Sequence, residues 1–116
     1  MSVNGRIYKT EEQAQDVMDK LKSGGFGGCS AIITPESAGP DVTYRDICDD
    51  SVLNGEVPRY QGLVYAAALK DGNSVVLVDP AIGFGAEAET ILEAGGPENA
   101  GGFAYMELSN GTPLSD

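Results

Sequence analysis

Two stretches of the chain share one order of elements and one ending, and this repeat constrains the fold more than any other feature. The first helix pattern ends in "LKSGG" (residues 21–25) and the second ends in "LEAGG" (residues 92–96). An apolar stretch precedes and follows each helix, so each half predicts a β-α-β unit. Two split β-α-β units form a four-stranded antiparallel sheet with both helices on one face. The sequence therefore predicts an α+β, ferredoxin-like two-layer sandwich.

These units divide a chain of 116 residues that is short enough for a single domain, residues 1–116. The first β-α-β unit covers about residues 5–35 and the second covers about residues 73–108. An acidic linker or helical insertion lies between them at about residues 36–72. Residues 109–116 form a C-terminal tail.

The first helix has the clearest local signals. Thr10 and Gln13 form a T-x-x-Q capping box, and Gly24 with Gly25 supplies the left-handed ending. One apolar stripe recurs at helical spacing at Ala14, Val17, Met18 and Leu21. We expect Phe26 to pack back on this helix.

Strands are predicted at "GRIYKT" (5–10), "CSAIITP" (29–35), "NSVVLVD" (73–79) and "GGFAYMEL" (101–108). The third is so apolar that we expect both of its faces to be covered. A second helix is predicted from about residue 84 to 94.

The middle of the chain is less defined by its pattern. Helical spacing indicates a helix within residues 37–58, at Tyr44, Ile47, Cys48, Ser51 and Val52. Residues 59–72 fit either a helix that begins after Pro58 or a strand of a hairpin around "KDGN". The alanine-rich composition favours the helix.

Several segments together resemble the small domain of bacterial general-stress (heat-induced stress) proteins. The resemblance lies in "EEQAQDVMDKLKSGGF", "SAIIT", "VPRY", "ALKDGNSVVLV" and "AEAETILEAGG", in that order. It covers about two-thirds of the chain and implies a ferredoxin-like α+β fold with a stress-related cytoplasmic role. It implies no catalytic residues. The chain departs from the family in its acidic residues 36–57 and in "GGPENAGG", which replaces the family's closing G-A-x-D/E.

The net charge of −11 is the strongest compositional signal. A field of this sign repels nucleic-acid backbones and anionic membranes, so we expect neither as a direct partner. Solubility, adaptation to high salt and imitation of nucleic acid each remain open as its reason. A candidate interaction surface is the acidic set Asp41, Asp46, Asp49, Asp50 and Glu56.

A glycine motif raises the question of nucleotide binding. Gly83, Gly85 and Ala88 fit G-x-G-x-x-G/A, but four residues separate the strand from the first glycine. Nearby carboxylates oppose an anion, and no Lys or Arg follows Lys70. We therefore expect the glycines to form the strand-to-helix turn, with Glu87 complementing the helix dipole. "SGGFGG" (23–28) follows a helix C-terminus, which disfavours anions as well.

Cys29 and Cys48 are isolated and the chain has no histidine, so we expect no zinc site, cofactor or metal. Both cysteines are expected to be structural, with free thiols in the cytoplasm. We expect no secretory leader and no membrane-spanning segment.

Three function hypotheses follow. The leading one is a non-enzymatic cytoplasmic protein that binds a protein partner or itself, as a homodimer that uses an exposed edge or face of the sheet. The second is an acidic, nucleic-acid-mimicking inhibitor of a DNA-binding host protein, such as a phage-encoded one. The third is a small enzyme that uses carboxylates on an open sheet face.

Overall fold

The computed structural model describes residues 3–48 and 57–99. Three strands, β1 (Asn4–Tyr8), β2 (Ser30–Ile33) and β3 (Ser74–Val78), form an antiparallel sheet in the order β1-β3-β2. The helices within these ranges are α1 (Glu11–Ser23), α2 (Pro35–Ala38), α3 (Tyr44–Cys48), α4 (Arg59–Lys70) and α5 (Gly85–Ala94). The chain is thus a mixed α/β protein.

The strand order confirms the first predicted β-α-β unit and its split character. β3 is antiparallel to both neighbours, with Arg6 opposite Val76 on one side and Ile32 opposite Val76 on the other. β1 and β2 are therefore parallel, with α1 joining them and β3 lying between them. The predicted strand at 101–108 and the tail at 109–116 lie outside the described residues.

The sheet is covered on both faces, which differs from the predicted two-layer sandwich. On one face, α1 and α5 pack over side chains that include Tyr8, Val76 and Val78. On the other, α3 and α4 pack over Ile7, Val75 and Leu77. The described part therefore has three layers, because the middle segment folds back over the sheet.

The burial of β3 explains why the second helical layer is needed. All five of its residues are buried, as its apolar sequence predicts for a strand covered on both faces. The chain from Arg59 to Lys70 supplies the cover on one side as α4, so the helical alternative for residues 59–72 is confirmed. Gly62 lets α3 approach closely, because a Cβ there would lie 2.8 Å from Cys48 Sγ.

The predicted ends of α1 are confirmed. Thr10 and Gln13 form the full capping box. Gly25 has a φ of +93°, and the Phe26 amide donates to the Leu21 carbonyl at 2.8 Å, which is a Schellman ending. Phe26 packs back into the core beside α1.

The second glycine pair ends α5 in a related way. Gly96 has a φ of +72° and its amide donates to the Glu93 carbonyl. Pro97 follows and has no N–H, so the bond that Phe26 makes after α1 has no counterpart here. The Tyr8 hydroxyl instead donates to the Leu92 carbonyl at 2.7 Å.

Candidate functional site

The two outer strands of the sheet differ in what their free edges meet. Residues of a strand direct their backbone groups to opposite edges in alternation. The Ile7 amide donates to Asn99 Oδ1 at 2.8 Å, and the Glu98 amide donates to the Ile7 carbonyl at 2.7 Å. Both backbone groups of Ile7 therefore point away from β3 and are bonded to the segment that follows α5.

Side chains also hold β1 against α5. The Arg6 side chain is only 5% exposed and forms ion pairs with Glu93 at 2.8 Å and Glu89 at 3.2 Å. Its Nη1 donates to the Gly5 carbonyl. The two glutamates are four residues apart and share one face of α5. The pattern "GRIY" contains the signal for this cluster, since Arg6 shares a strand face with the buried Tyr8.

The opposite face of β1 is packed tightly under α4. A Cβ at Gly5 would overlap the Tyr65 ring and lie 2.8 Å from Leu77 Cδ2. Any larger residue at this position would therefore force the Tyr65 and Leu77 side chains to move. Burial raises the pKa of Tyr65 to about 12 and also raises the pKa of Tyr8.

The outer edge of β2 differs from that of β1, which is bonded to the segment that follows α5. The Asp79 amide donates to the Cys29 carbonyl, so Cys29 faces β3, and by alternation Ala31 and Ile33 do too. Ser30 and Ile32 therefore direct their backbone N–H and C=O groups outward. Within residues 3–48 and 57–99, no strand other than β3 pairs with β2.

The side chains of β2 leave this edge uncharged and partly open. Ala31, Ile32 and Ile33 are half-buried, whereas Ser30 is buried and donates its hydroxyl to the Phe26 carbonyl. Natural edge strands are commonly protected by charged side chains or proline. β2 contains neither.

The predicted acidic surface is only partly within the described structure. Asp41 and Asp46 are exposed, as expected for a solvated acidic face. Asp46 also has a local role, because its carboxylate accepts the Thr43 amide at 2.9 Å just before α3. Asp49, Asp50 and Glu56 lie outside the described residues.

A cation–aromatic cluster at the start of α4 was not predicted from the sequence. The Arg59 guanidinium lies 4.9 Å from the centre of the Tyr44 ring, and Arg45 Nε donates to the Tyr44 hydroxyl. The hydrogen bond from Arg45, with the added charge of Arg59, lowers the pKa of Tyr44. Residues 44 and 59 are brought together by the packing of α3 on α4, which no local spacing could indicate.

The glycine motif forms a turn, and one of its two glycines is needed for it. Gly83 has a φ of +95°, a conformation that favours glycine. Gly85 begins α5 without a positive φ, so the prediction that both glycines make the turn holds for Gly83 alone. Ile82 and Phe84 are exposed on this loop, and Glu87 lies in the first turn of α5.

The cysteines pack against the two cores. Cys29 contacts the core under α1 and Cys48 contacts the core under α4, and both are half-buried. Among the described residues no group of three His, Cys, Asp or Glu side chains is placed to hold a metal ion.

The third function hypothesis required an open sheet face with carboxylates. In the part of the chain that the structure describes, α1 and α5 cover one face and α3 and α4 cover the other. The expectation of an open face is therefore wrong for these three strands. The physical reason is that β3 has apolar side chains on both faces, and each face is buried by helices.

Over residues 3–48 and 57–99, none of the helices has the length and apolar character needed to cross a membrane. No known protein family, curated protein or solved structure matches the chain.

Proposed function

We propose that this protein acts by associating with another protein chain through the outer edge of β2. The observation that carries the proposal is the pair of outward-facing backbone groups at Ser30 and Ile32, flanked by half-buried apolar side chains. An extended segment of a partner can add to such an edge by main-chain hydrogen bonds. A stress-related role in the bacterial cytoplasm is the setting that the family resemblance implies.

We also propose that the sheet is four-stranded and ferredoxin-like, and contacts at the outer edge of β1 support this. Residues 101–108 would add a fourth strand beside β1. The bonds from Glu98 and Asn99 to Ile7 support this, since they bring the chain to the outer edge of β1. A partner strand is then expected at β2 rather than at β1.

The acidic inhibitor remains a prediction of the sequence. Its candidate surface depends on Asp49, Asp50 and Glu56, which lie outside the described residues. Asp46, which lies within them, is bonded to Thr43. No contact in the described part favours this function over association through β2.

A site-specific photo-cross-linker tests the proposal. Gly28 precedes β2, is exposed, has a negative φ, and a Cβ there would meet no atom within 4 Å, so we choose this position for p-benzoylphenylalanine. Gly85 on α5 also has a negative φ and no atom within 4 Å of a Cβ, and it serves as the control position. We expect protein adducts from position 28 in living cells, and few from position 85.

The matched variants are Ile32→Pro and Ile32→Ala. Proline removes the outward N–H of residue 32, which does not bond to β3, whereas alanine keeps it. We expect Ile32→Pro to abolish the adducts and Ile32→Ala to retain them. No adduct at position 28, or adducts unchanged by Ile32→Pro, would contradict the proposed function.

A further inference from the structure

The outward groups of β2 are self-complementary. Ser30 and Ile32 are two residues apart, with Ala31 between them and facing β3. If a second β2 strand approaches antiparallel, Ser30 of each copy lies opposite Ile32 of the other. Each such pair exchanges two N–H···O bonds, so four bonds form around a twofold axis through Ala31.

The distribution of charge along the chain favours a partner segment without charged side chains at this edge. Residues 23–35 contain no charged side chain, and this is the longest uncharged run of the sequence. The run covers the last residue of α1, the turn at Gly27–Cys29 and all of β2. A cationic segment would find no carboxylate within the run, whereas a second copy would bring no like charge to the paired strands.

We propose that the partner at the β2 edge is a second copy of this chain. Two antiparallel β2 strands join the two sheets into one continuous sheet. The half-buried Ala31, Ile32 and Ile33 side chains are then buried further by their counterparts. This inference rests on the proposed function and names its partner.

The expected dimer is weak, and its affinity should increase with added salt. Pairing of two four-residue strands buries less area than the roughly 1,200 Å² of stable complexes, so we expect a micromolar dissociation constant. Each copy carries a net charge of −11. Salt screens this repulsion over distances beyond about 8 Å at physiological ionic strength, so added salt should tighten the dimer. A cationic partner would instead be released by salt.

Sedimentation-velocity analysis of the purified full chain tests the inference. Protein concentration is varied from low to high micromolar, at low and at physiological sodium chloride. We expect a reversible monomer–dimer equilibrium whose dissociation constant falls severalfold with salt. Ile32→Pro should raise that constant at least about tenfold, because it removes one hydrogen bond per copy and so two of the four in the dimer. Ile32→Ala, which keeps the N–H, should change it by less than about threefold.

The outcomes separate this inference from the proposed function. A chain that stays monomeric at every concentration, or a dimer that dissociates with salt, overturns self-association. So does a dimer that Ile32→Pro leaves unchanged. If the purified chain is monomeric while position 28 cross-links a different protein in cells, the proposed function stands and the second copy is the wrong partner. If neither dimer nor adduct forms, both are overturned.

Discussion

The two outer strands of the described sheet, β1 and β2, are parallel to each other and lie on either side of β3. Their surroundings nevertheless differ. β1 is buried from Gly5 to Tyr8, and its outer edge is bonded at Ile7 to residues 98 and 99. β2 has one buried residue and three half-buried ones, and within the described ranges only β3 pairs with it. The stabilising contacts are thus found at the edge of β1, and the proposed association is placed at the opposite edge, that of β2.

The difference has a chemical origin in the two strand sequences. In "NGRIY", Gly5 leaves room for the Tyr65 side chain, and Arg6 forms an ion pair with Glu93 of α5. Tyr8 donates a hydrogen bond to the Leu92 carbonyl of α5. "SAII" contains small and aliphatic side chains without a charge. β1 therefore depends on specific long-range contacts, whereas β2 depends on its pairing with β3 and on apolar packing. Substitutions in β1 should cost more stability than matched substitutions in β2.

The largest expected effect is that of Gly5→Ala in β1. The new Cβ would overlap the Tyr65 ring and approach Leu77, so these two buried side chains, or the elements that carry them, must shift. We expect a loss of about 3 kcal/mol in the free energy of unfolding, at the upper end for overpacking. Urea denaturation followed by circular dichroism measures it.

The matched variant in β2 is Ala31→Gly. Gly5 and Ala31 lie opposite the same residue, Leu77, from its two sides. Removing the Ala31 methyl opens space and adds backbone entropy to the unfolded chain, which should cost about 1 kcal/mol. Equal losses of stability at the two positions would show that β1 is not packed more tightly at Gly5 than β2 is at Ala31.

The origin of this asymmetry was only partly predictable from the sequence. Local patterns predicted the capping box at Thr10, the Schellman ending at Gly25 and the burial of β3 on both faces, and the structure confirms them. Each is determined by side chains within a few residues.

Long-range contacts were not predictable in the same way. No local spacing indicates that α4 covers the second sheet face, because periodicity fixes which side of a helix is apolar and not what it packs against. The sequence shows that Pro97 has no backbone N–H to donate to the end of α5. That the Tyr8 hydroxyl donates to the Leu92 carbonyl instead is seen only in the folded chain. Arg6 is a residue type that is mostly exposed, and its burial depends on two glutamates more than eighty residues away.

The second effect in size is expected for Asn99→Ala at the edge of β1. Its side chain is 3% exposed and accepts the buried Ile7 amide, which would lose this acceptor. We expect a loss of about 2 kcal/mol in thermal or urea unfolding, and faster hydrogen exchange at Ile7.

Glu98→Ala is the control for Asn99→Ala. Glu98 is bonded to Ile7 through its backbone amide, which alanine keeps, and its side chain is exposed. A change of less than about 0.5 kcal/mol is expected. If Asn99→Ala is equally mild and leaves the exchange rate of Ile7 unchanged, the bond to Asn99 does not hold the β1 edge.

The smallest effect of a single residue is expected from the ionisation of Tyr65 at alkaline pH, and it also originates beside β1. Burial raises the pKa of Tyr65 from 10.0 to about 12, so the unfolded chain releases this proton first. The stability that the neutral hydroxyl contributes is complete below pH 10 and is lost as the pH rises toward 12. At pH 11 the expected loss from Tyr65 is on the order of 1 kcal/mol. Burial raises the pKa of Tyr8 too, which adds to the loss in the same direction.

Urea unfolding at pH 8 and pH 11 measures this loss, and two tyrosine variants locate it. Tyr65→Phe should remove the share of Tyr65 and leave that of Tyr8. Tyr60 is 65% exposed and its charge is the smallest of the contributions to the pKa of Tyr65, so Tyr60→Phe should lower the loss only slightly. β2 has no titratable side chain between Ser30 and Ile33. The alkaline loss should therefore be the same in Ile32→Ala as in the unmodified chain. A loss that persists in full in Tyr65→Phe would place its origin away from the contact between Gly5 and α4.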